Sequence, residues 1–415
     1  MILFSALTIA IVSVASTIAS VRNAFAPIRK VLALLATPIV FLVSYLVPRD
    51  DSLWLFMAGQ GDRFADNSKY LFLYCDCQPD VRNVWIGTDE RIVAELREHG
   101  YEAYTRHSLA GRWRLLRAGY WFETHGPIAP AYAGRARLIH LTHGNYLKVM
   151  LEDHTRDWPW IVQVLVEFFF ERRRRYVVTG SGPPLKNMQS MRGAPADRAL
   201  MTGLPRNDAL FDAFQDEELG LEESALAAVR DRAAEGPVLL YAPTYREGYG
   251  ERNGVPLSEL DLGLERLDSV LRSHDATLYI SHHPATTFDR DLEGLDRVTV
   301  LESGGDLYPF LRECDVLVTD YSGIFYDFLL LDRPMVFFAP DLEVYLEDRD
   351  LYFDYEDHVP GTIATTPEAF VESVRAILEG ADEHGDDRAA VREAFYDDPD
   401  GEACERVYHT VRDEA

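Results

Sequence analysis

His143 ends an apolar run, Leu138-Ile139-His140-Leu141-Thr142, and is followed at once by Gly144. A histidine in that position stands at the carboxyl edge of a strand, where doubly wound sheets bind ligands, and can act as general base toward a hydroxyl. The bland alternative is a histidine with a structural role. His282-His283-Pro284 closes a second apolar run. Neighbouring residues on an extended chain point opposite ways, so a paired metal site is disfavoured and His283 is the one expected to face a cleft.

A second chemical signal is Val316-Leu317-Val318-Thr319-Asp320-Tyr321-Ser322-Gly323. It reads as a buried strand turning abruptly into a helix with Ser322 as N-cap. The free N–H groups of such a first turn suit a phosphate, and Gly323 allows close approach to the backbone, although other strand-to-helix turns share these features. Arg206, Arg246 and Arg349 follow turns or lie in loop-rich sequence and are candidate bidentate phosphate clamps. Any single arginine is more often a surface ion pair. No Walker A or GxGxxG pattern occurs, so a P-loop or dinucleotide cofactor is not expected. Four cysteines make no disulfide framework in a chain of this length, and Cys75-Asp76-Cys77 has the wrong spacing for a zinc knuckle, so no metal is expected.

These residues need a scaffold. Strands are expected at Leu53–Met57, Val84–Ile86, Glu102–Thr105, Tyr120–Glu123 and Leu138–Leu141, with a helix over Asp89–His99; Lys69–Tyr74 fits either type. A second series begins near Pro237. It comprises strands at Val238–Tyr241, Thr277–Ser281, Val298–Val300, Asp315–Val318 and Met335–Phe338, and helices over Leu257–His274, Leu307–Cys314 and from Ser322 to before Pro334. Strands alternating with helices imply right-handed βαβ units and parallel sheets, twice over. The expected layout is a membrane segment at 1–50, lobes at 51–215 and 236–375 around an acidic linker, and a helical segment at 376–415.

The chain has 415 residues, 47% hydrophobic, which suits two lobes rather than one core. Its 68 acidic against 41 basic residues give a net charge of −27, which makes free nucleic acid an unsuitable partner. Only four of the bases are lysines (Lys30, Lys69, Lys148, Lys186), a balance that suits a salt-rich cytoplasm or a GC-rich genome. Residues 1–21 and 31–47 carry no charge. At about 20 residues per crossing, the first can span a bilayer and the second, interrupted by Pro38, is borderline. Arg22, Arg29 and Lys30 between them place that loop in the cytoplasm. Two full crossings would then put the lobes outside, so either the second segment does not cross or the lobes work outside the cytoplasm. Trp158 to Phe170 is apolar, ends in Arg172-Arg173-Arg174-Arg175, and reads as a buried helix or a membrane-docking surface.

Taken together, His143-Gly144-Asn145-Tyr146-Leu147-Lys148, Gly203-Leu204-Pro205-Arg206-Asn207-Asp208, Tyr241-Ala242-Pro243-Thr244-Tyr245-Arg246, His283-Pro284, Thr319 to Gly323, and Asp341, Glu343, Tyr345, Arg349 with Pro360-Gly361 resemble the blocks of the CDP-glycerol:poly(glycerophosphate) glycerophosphotransferase family, the teichoic-acid polymerases and primases of GT-B architecture. The resemblance covers about residues 53 to 375. It implies a CDP-glycerol or CDP-polyol donor, a lipid-linked or polymer acceptor at the membrane, CMP as product, and catalytic lobes on the cytoplasmic face. It further implies His143 as base, His283 near the donor pyrophosphate, and Arg206, Arg246, Thr319, Asp320, Ser322, Gly323 and Arg349 around the donor. Lys148 and Asp208 are implied in acceptor binding or support. Departures are Gly323 for the second serine of a Ser-Ser pair, Asn145-Tyr146 for Thr-Pro, and Asp350 for glycine. A GT-B glycosyltransferase or epimerase using a nucleotide sugar, and an inactive scaffold, are the alternatives.

Overall fold

The computed structural model describes residues 39–126, 128–149, 173–211, 214, 219–220, 223–244, 259–281, 292–301 and 305–414. The expectations for Arg246, His283, residues 1–38 and Trp158 to Phe170 fall outside the described residues.

Leu53 to Met57 is an unbroken apolar run because it forms a central strand buried on both faces. This is β1 (Asp50–Met57). It is followed by α1 (Asp66–Asp76), β2 (Arg82–Gly87), α2 (Glu90–Glu98), β3 (Ala103–Thr105), α3 (Leu109–Arg117), β4 (Ala118–Glu123), β5 (Arg137–His140), β6 (Arg174–Val178), α4 (Pro183–Arg192) and β7 (Ala199–Met201). A 3-10 turn (Pro205–Leu210) and α5 (Glu223–Glu235) lead to β8 (Val238–Tyr241), α6 (Leu264–Ser273), β9 (Thr277–Ile280), β10 (Val298–Val300), α7 (Tyr308–Glu313) and β11 (Val316–Thr319). Then come α8 (Ile324–Phe328), β12 (Met335–Phe338), α9 (Leu342–Asp348), α10 (Tyr355–His358), β13 (Thr362–Ala364), α11 (Pro367–Leu378), α12 (Gly385–Phe395) and α13 (Ala403–Asp413).

The strands form two parallel sheets, ordered β3-β2-β1-β4-β5-β6-β7 and β10-β9-β8-β11-β12-β13. In each, strand order reverses beside the first strand of the lobe. A crevice opens at such a switch point, above β1 and β4 in one lobe and above β8 and β11 in the other.

The expected strands and helices are present, with instructive exceptions. The untyped segment Lys69–Tyr74 lies in α1, which is buried almost all round and so shows no one-sided stripe. Arg174 and Arg175 open β6 rather than ending a helix, and they carry ion-pair partners: Arg174 lies 3.5 Å from Glu123, and Arg175 meets Glu414. β7 was not foreseen, and the linker contains α5. α6 starts only at Leu264, because Leu260 and Leu262 reach the core from the loop before it.

Charged pairs bind the lobes to each other. Lys69 meets Asp306 at 3.1 Å with both side chains buried, and Tyr70 donates to the same carboxylate at 2.5 Å. Arg206 donates to Asp66 at 2.8 Å and to Asp327 at 2.7 Å. Asn207 and Tyr308 also donate to Asp327, at 2.7 and 2.6 Å. The stretch after His143 pairs with the second lobe through Val149 N–H to Asp350 at 2.9 Å and Tyr352 N–H to Leu147 at 2.9 Å. Gly323 is needed here: a Cβ on it would stand 2.5 Å from the Asn145 carbonyl oxygen. The C-terminal segment is no loose appendage, for Asp208 accepts the Ala403 and Cys404 N–H groups at 2.9 and 2.8 Å and docks α13 onto the first lobe.

Residues 39–46 are helical, and Ile39, Leu42, Val43 and Leu46 on them are exposed. Among the described residues no helix is long and apolar enough to cross a membrane. The boundary expected at residue 50 cuts through structure, since Arg49 donates to the carbonyls of Ser44, Leu115, Ala118, Tyr132 and Ala133.

Removing one member of a buried charge cluster strands the others, so Asp327→Ala should destabilise the protein by about 3–5 kcal/mol in chemical unfolding. Gly323→Ser, by pressing a Cβ against the Asn145 carbonyl, should cost about 1–3 kcal/mol, read as a lower melting temperature.

Candidate functional site

His143 leaves the sheet on a backbone bent for the purpose. Thr142 and Gly144 on either side have φ of 56° and 114°. A β-branched residue in the left-handed region is strained by about 1–3 kcal/mol. Asn67 offsets that cost by donating to the carbonyls of Leu141 and Thr142, both at 3.1 Å. The turn leaves the His143 side chain 58% exposed to the cleft.

Its Nδ1 lies 2.7 Å from Oδ2 of Asp66, the first residue of α1. Asp66 is also left-handed, with φ of 64°. Burial alone would raise the Asp66 pKa, but Arg206 and His143 outweigh it and hold the carboxyl well below its ordinary range. An ionised Asp66 fixes the tautomer with the proton on Nδ1. Nε2 is then an acceptor open to the cleft, and no described residue bonds to it.

His125, in the loop after β4, stands beside this pair with its ring centroid 4.3 Å from that of His143. Its Nδ1 is 2.8 Å from the Thr124 hydroxyl. Its side chain is exposed, yet desolvation of the ring by the atoms packed round it, reinforced by His143, lowers its pKa to about 4, so it stays neutral near pH 7. Donor atoms of Asp66, His125 and His143 lie within 4.8 Å of one another, a spacing that would suit a metal ion. Asp66 is already bound to a guanidinium and an imidazole, however, and that arrangement better fits a hydrogen-bonded base.

The cleft between the lobes measures about 420 Å³. Its first-lobe wall carries Arg63, Asp66, His125, His143 and Lys148; its second-lobe wall carries Thr244, Ser281, Ser322 and Gly323. Lys148 reaches across to donate to the Thr244 hydroxyl at 3.0 Å. These residues follow β1, β4, β5, β8, β9 and β11.

Of the residues expected from sequence, His143, Lys148, Ser322 and Gly323 come together here. Thr319 and Asp320 do not line the cleft: both are fully buried, Thr319 donating to the Ala242 carbonyl at 2.7 Å and Asp320 accepting the Thr244 N–H at 2.7 Å. They hold the loop after β8 in place. Arg206 reaches the cleft floor, but its guanidinium is already engaged by two carboxylates, a clasp rather than a free phosphate clamp. Asp208 caps α13, and Arg349 ends α9 without lining the cleft. Ser322 is not the N-cap; that position falls to Gly323, and the Ser322 hydroxyl accepts weakly from Ile324 N–H at 3.5 Å. α8 is only five residues long, which makes its dipole weak. Asp66, His125 and Arg63 were missed. The available signal was topological, since all three follow strands that flank the switch point.

The model of the CDP-glycerol:poly(glycerophosphate) glycerophosphotransferase family matches residues 39–413. The chain is 27% identical over 375 residues to a teichoic acid glycerol-phosphate transferase of Staphylococcus aureus, covering 87% of this chain and 92% of that one. It is 26% identical over 348 residues to a teichoic acid poly(glycerol phosphate) polymerase of Bacillus subtilis, covering 81% of this chain but 45% of the polymerase. In fold it is similar to the wall teichoic acid polymerase TagF, with a TM-score of 0.75 at 20% identity over 94% of this chain and 96% of the other. With two parallel sheets facing one cleft and a match along nearly its whole length, the chain is a GT-B enzyme and belongs to the CDP-glycerol:poly(glycerophosphate) glycerophosphotransferase family.

Proposed function

We propose that this enzyme transfers glycerol phosphate from CDP-glycerol to an acceptor hydroxyl in cell-surface polymer synthesis and releases CMP. The observation that carries the reading is the Asp66–His143 pair opening into the interlobe cleft. In the step, His143 Nε2 takes the acceptor's hydroxyl proton while its oxygen forms a bond to the β-phosphorus. The bond from that phosphorus to the bridging oxygen breaks, and CMP leaves with the electron pair. Asp66 keeps the imidazole oriented and stabilises the imidazolium that forms. Lys148, Ser322 and the Thr244 loop are suited to the donor's phosphates, and His283 and Arg246 are assigned there by the family pattern alone. The work is positioning and charge neutralisation, as in phosphoryl transfer generally.

The acceptor side is proposed to lie at a membrane, with the lobes on the cytoplasmic face. Ile39, Leu42, Val43 and Leu46 form an exposed apolar strip, and Leu109 and Trp113 on α3 add two more exposed apolar side chains. Arg49 ties the helix at 39–46 to the end of α3, while Arg173 lies over Tyr45. An apolar face edged by arginines suits an anionic bilayer surface. The acid-rich, lysine-poor composition supports a salt-loving host.

The deciding experiment offers CDP-glycerol, CDP-ribitol and UDP-sugars to the purified enzyme and identifies the nucleotide released. CMP from a CDP-polyol supports the proposal and names the donor; UDP from a sugar nucleotide overturns it. His143→Ala should lower kcat at least about a hundredfold with CDP-glycerol binding intact, and Asp66→Asn should lower kcat by about a hundredfold or more. Turnover near the parental level in either variant removes that residue from the mechanism. Leu42→Asp/Leu46→Asp should reduce co-sedimentation with phosphatidylglycerol vesicles several-fold while the cleft's donor binding is unchanged; equal sedimentation counts against that face.

A further inference from the structure

The first-lobe wall of the cleft holds two groups that neither the base nor the donor phosphates account for, Arg63 and His125. Both stand on loops after β1 and β4, the two strands that flank the switch point of that sheet. Arg63 is only loosely compensated: its Nε lies 3.5 Å from the half-exposed Asp62 and is buried without a hydrogen bond. Its charge is felt by His125. His125 has one ring nitrogen engaged by Thr124 and no described residue bonded to the other, and it lacks the carboxylate partner that His143 has.

The geometry points to an acceptor-end subsite in which Arg63 binds the last phosphodiester of a polyol-phosphate acceptor and His125 hydrogen-bonds the terminal polyol. The inference rests on the phosphotransferase reading for its name, and its chemistry follows from spacing. A chain ending in a glycerol phosphate presents its reactive hydroxyl a few atoms from its last phosphate, so an enzyme that extends it needs one cation and one neutral hydrogen-bonding group beside the base. A guanidinium lacking a full set of partners fits the first need. An imidazole that stays neutral fits the second, because it orients the hydroxyl without competing with His143 for its proton. The acceptor's proton still goes to His143, and His125 changes neither charge nor bonding.

The test is calorimetric binding to the full-length enzyme of three probes: a synthetic di(glycerol phosphate), glycerol, and CDP-glycerol. Arg63→Gln should weaken binding of the di(glycerol phosphate) roughly tenfold to a hundredfold, with CDP-glycerol bound within about twofold of the parent. Arg63→Lys should recover part of the loss, and His125→Ala should weaken the same probe, with His125→Gln restoring much of it. Glycerol, lacking the phosphate, should bind Arg63→Gln and the parent alike. Unchanged affinity of Arg63→Gln for di(glycerol phosphate) overturns the subsite, as does a parallel loss of CDP-glycerol. Because binding is measured without turnover, an enzyme that releases no CMP would remove the phosphotransferase reading and leave this result to stand or fall by itself.

Discussion

One guanidinium joins everything that matters in this molecule. Arg206 comes from the turn after the first sheet, donates to Asp66 beneath the base, and donates to Asp327 in the second lobe. All three side chains are buried. Buried ion clusters are poor sources of net stability, since desolvation consumes much of the attraction, but they are demanding about geometry. Here the demand is that both lobes and the base carboxylate sit at fixed distances from one planar group. The cluster also carries an unbalanced charge: two carboxylates face one guanidinium. His143 lies 2.7 Å from one of those carboxylates, Asp66. The element that welds the lobes therefore also holds the carboxylate that orients the base.

That weld distinguishes this cleft from a simple hinge. Contacts between the lobes include the Lys69–Asp306 pair, the Asp327 cluster and the backbone pairing of 147–149 with 350–352. α13 adds a strap in the reverse direction, seated by Asp208 and packed through Tyr408 against Trp54. Any opening that admits substrate must preserve or break these bonds together.

The scaffold was readable from sequence wherever burial is periodic or continuous. Apolar runs such as Val316–Val318 and Leu138–Leu141 became central strands, and α2 fell within the helix expected over Asp89–His99. Legibility failed where burial is uniform, as in α1, and where charge enters a strand, as at Arg174. In the site, His143 was legible because a histidine at a strand end has one obvious direction to face. Arg206, Asp208, Thr319 and Asp320 stand in equally suggestive sequence yet turn inward. Their partners explain why no local reading could tell: Arg206 meets Asp66 across 140 positions, Asp208 meets Ala403 across 195, and Asp320 meets Thr244 across 76. Asp66 was invisible for the converse reason, since nothing near it in the chain marks it as the partner of a histidine 77 residues away.

Two residues of the sequence blocks, Asn145 and Gly323, meet between the lobes. Asn145 stands in the first lobe and Gly323 in the second, nearly 180 positions apart. In the fold the Asn145 carbonyl rests where a side chain on residue 323 would begin, 2.5 Å from its Cβ position. The loop carrying the base rests on the strand-to-helix turn of the opposite lobe, and the glycine at 323 leaves room for that contact. Asn145 also accepts from Thr179 at 2.9 Å, which holds the loop down from its other side. Any side chain at residue 323 would press on this backbone contact between the lobes.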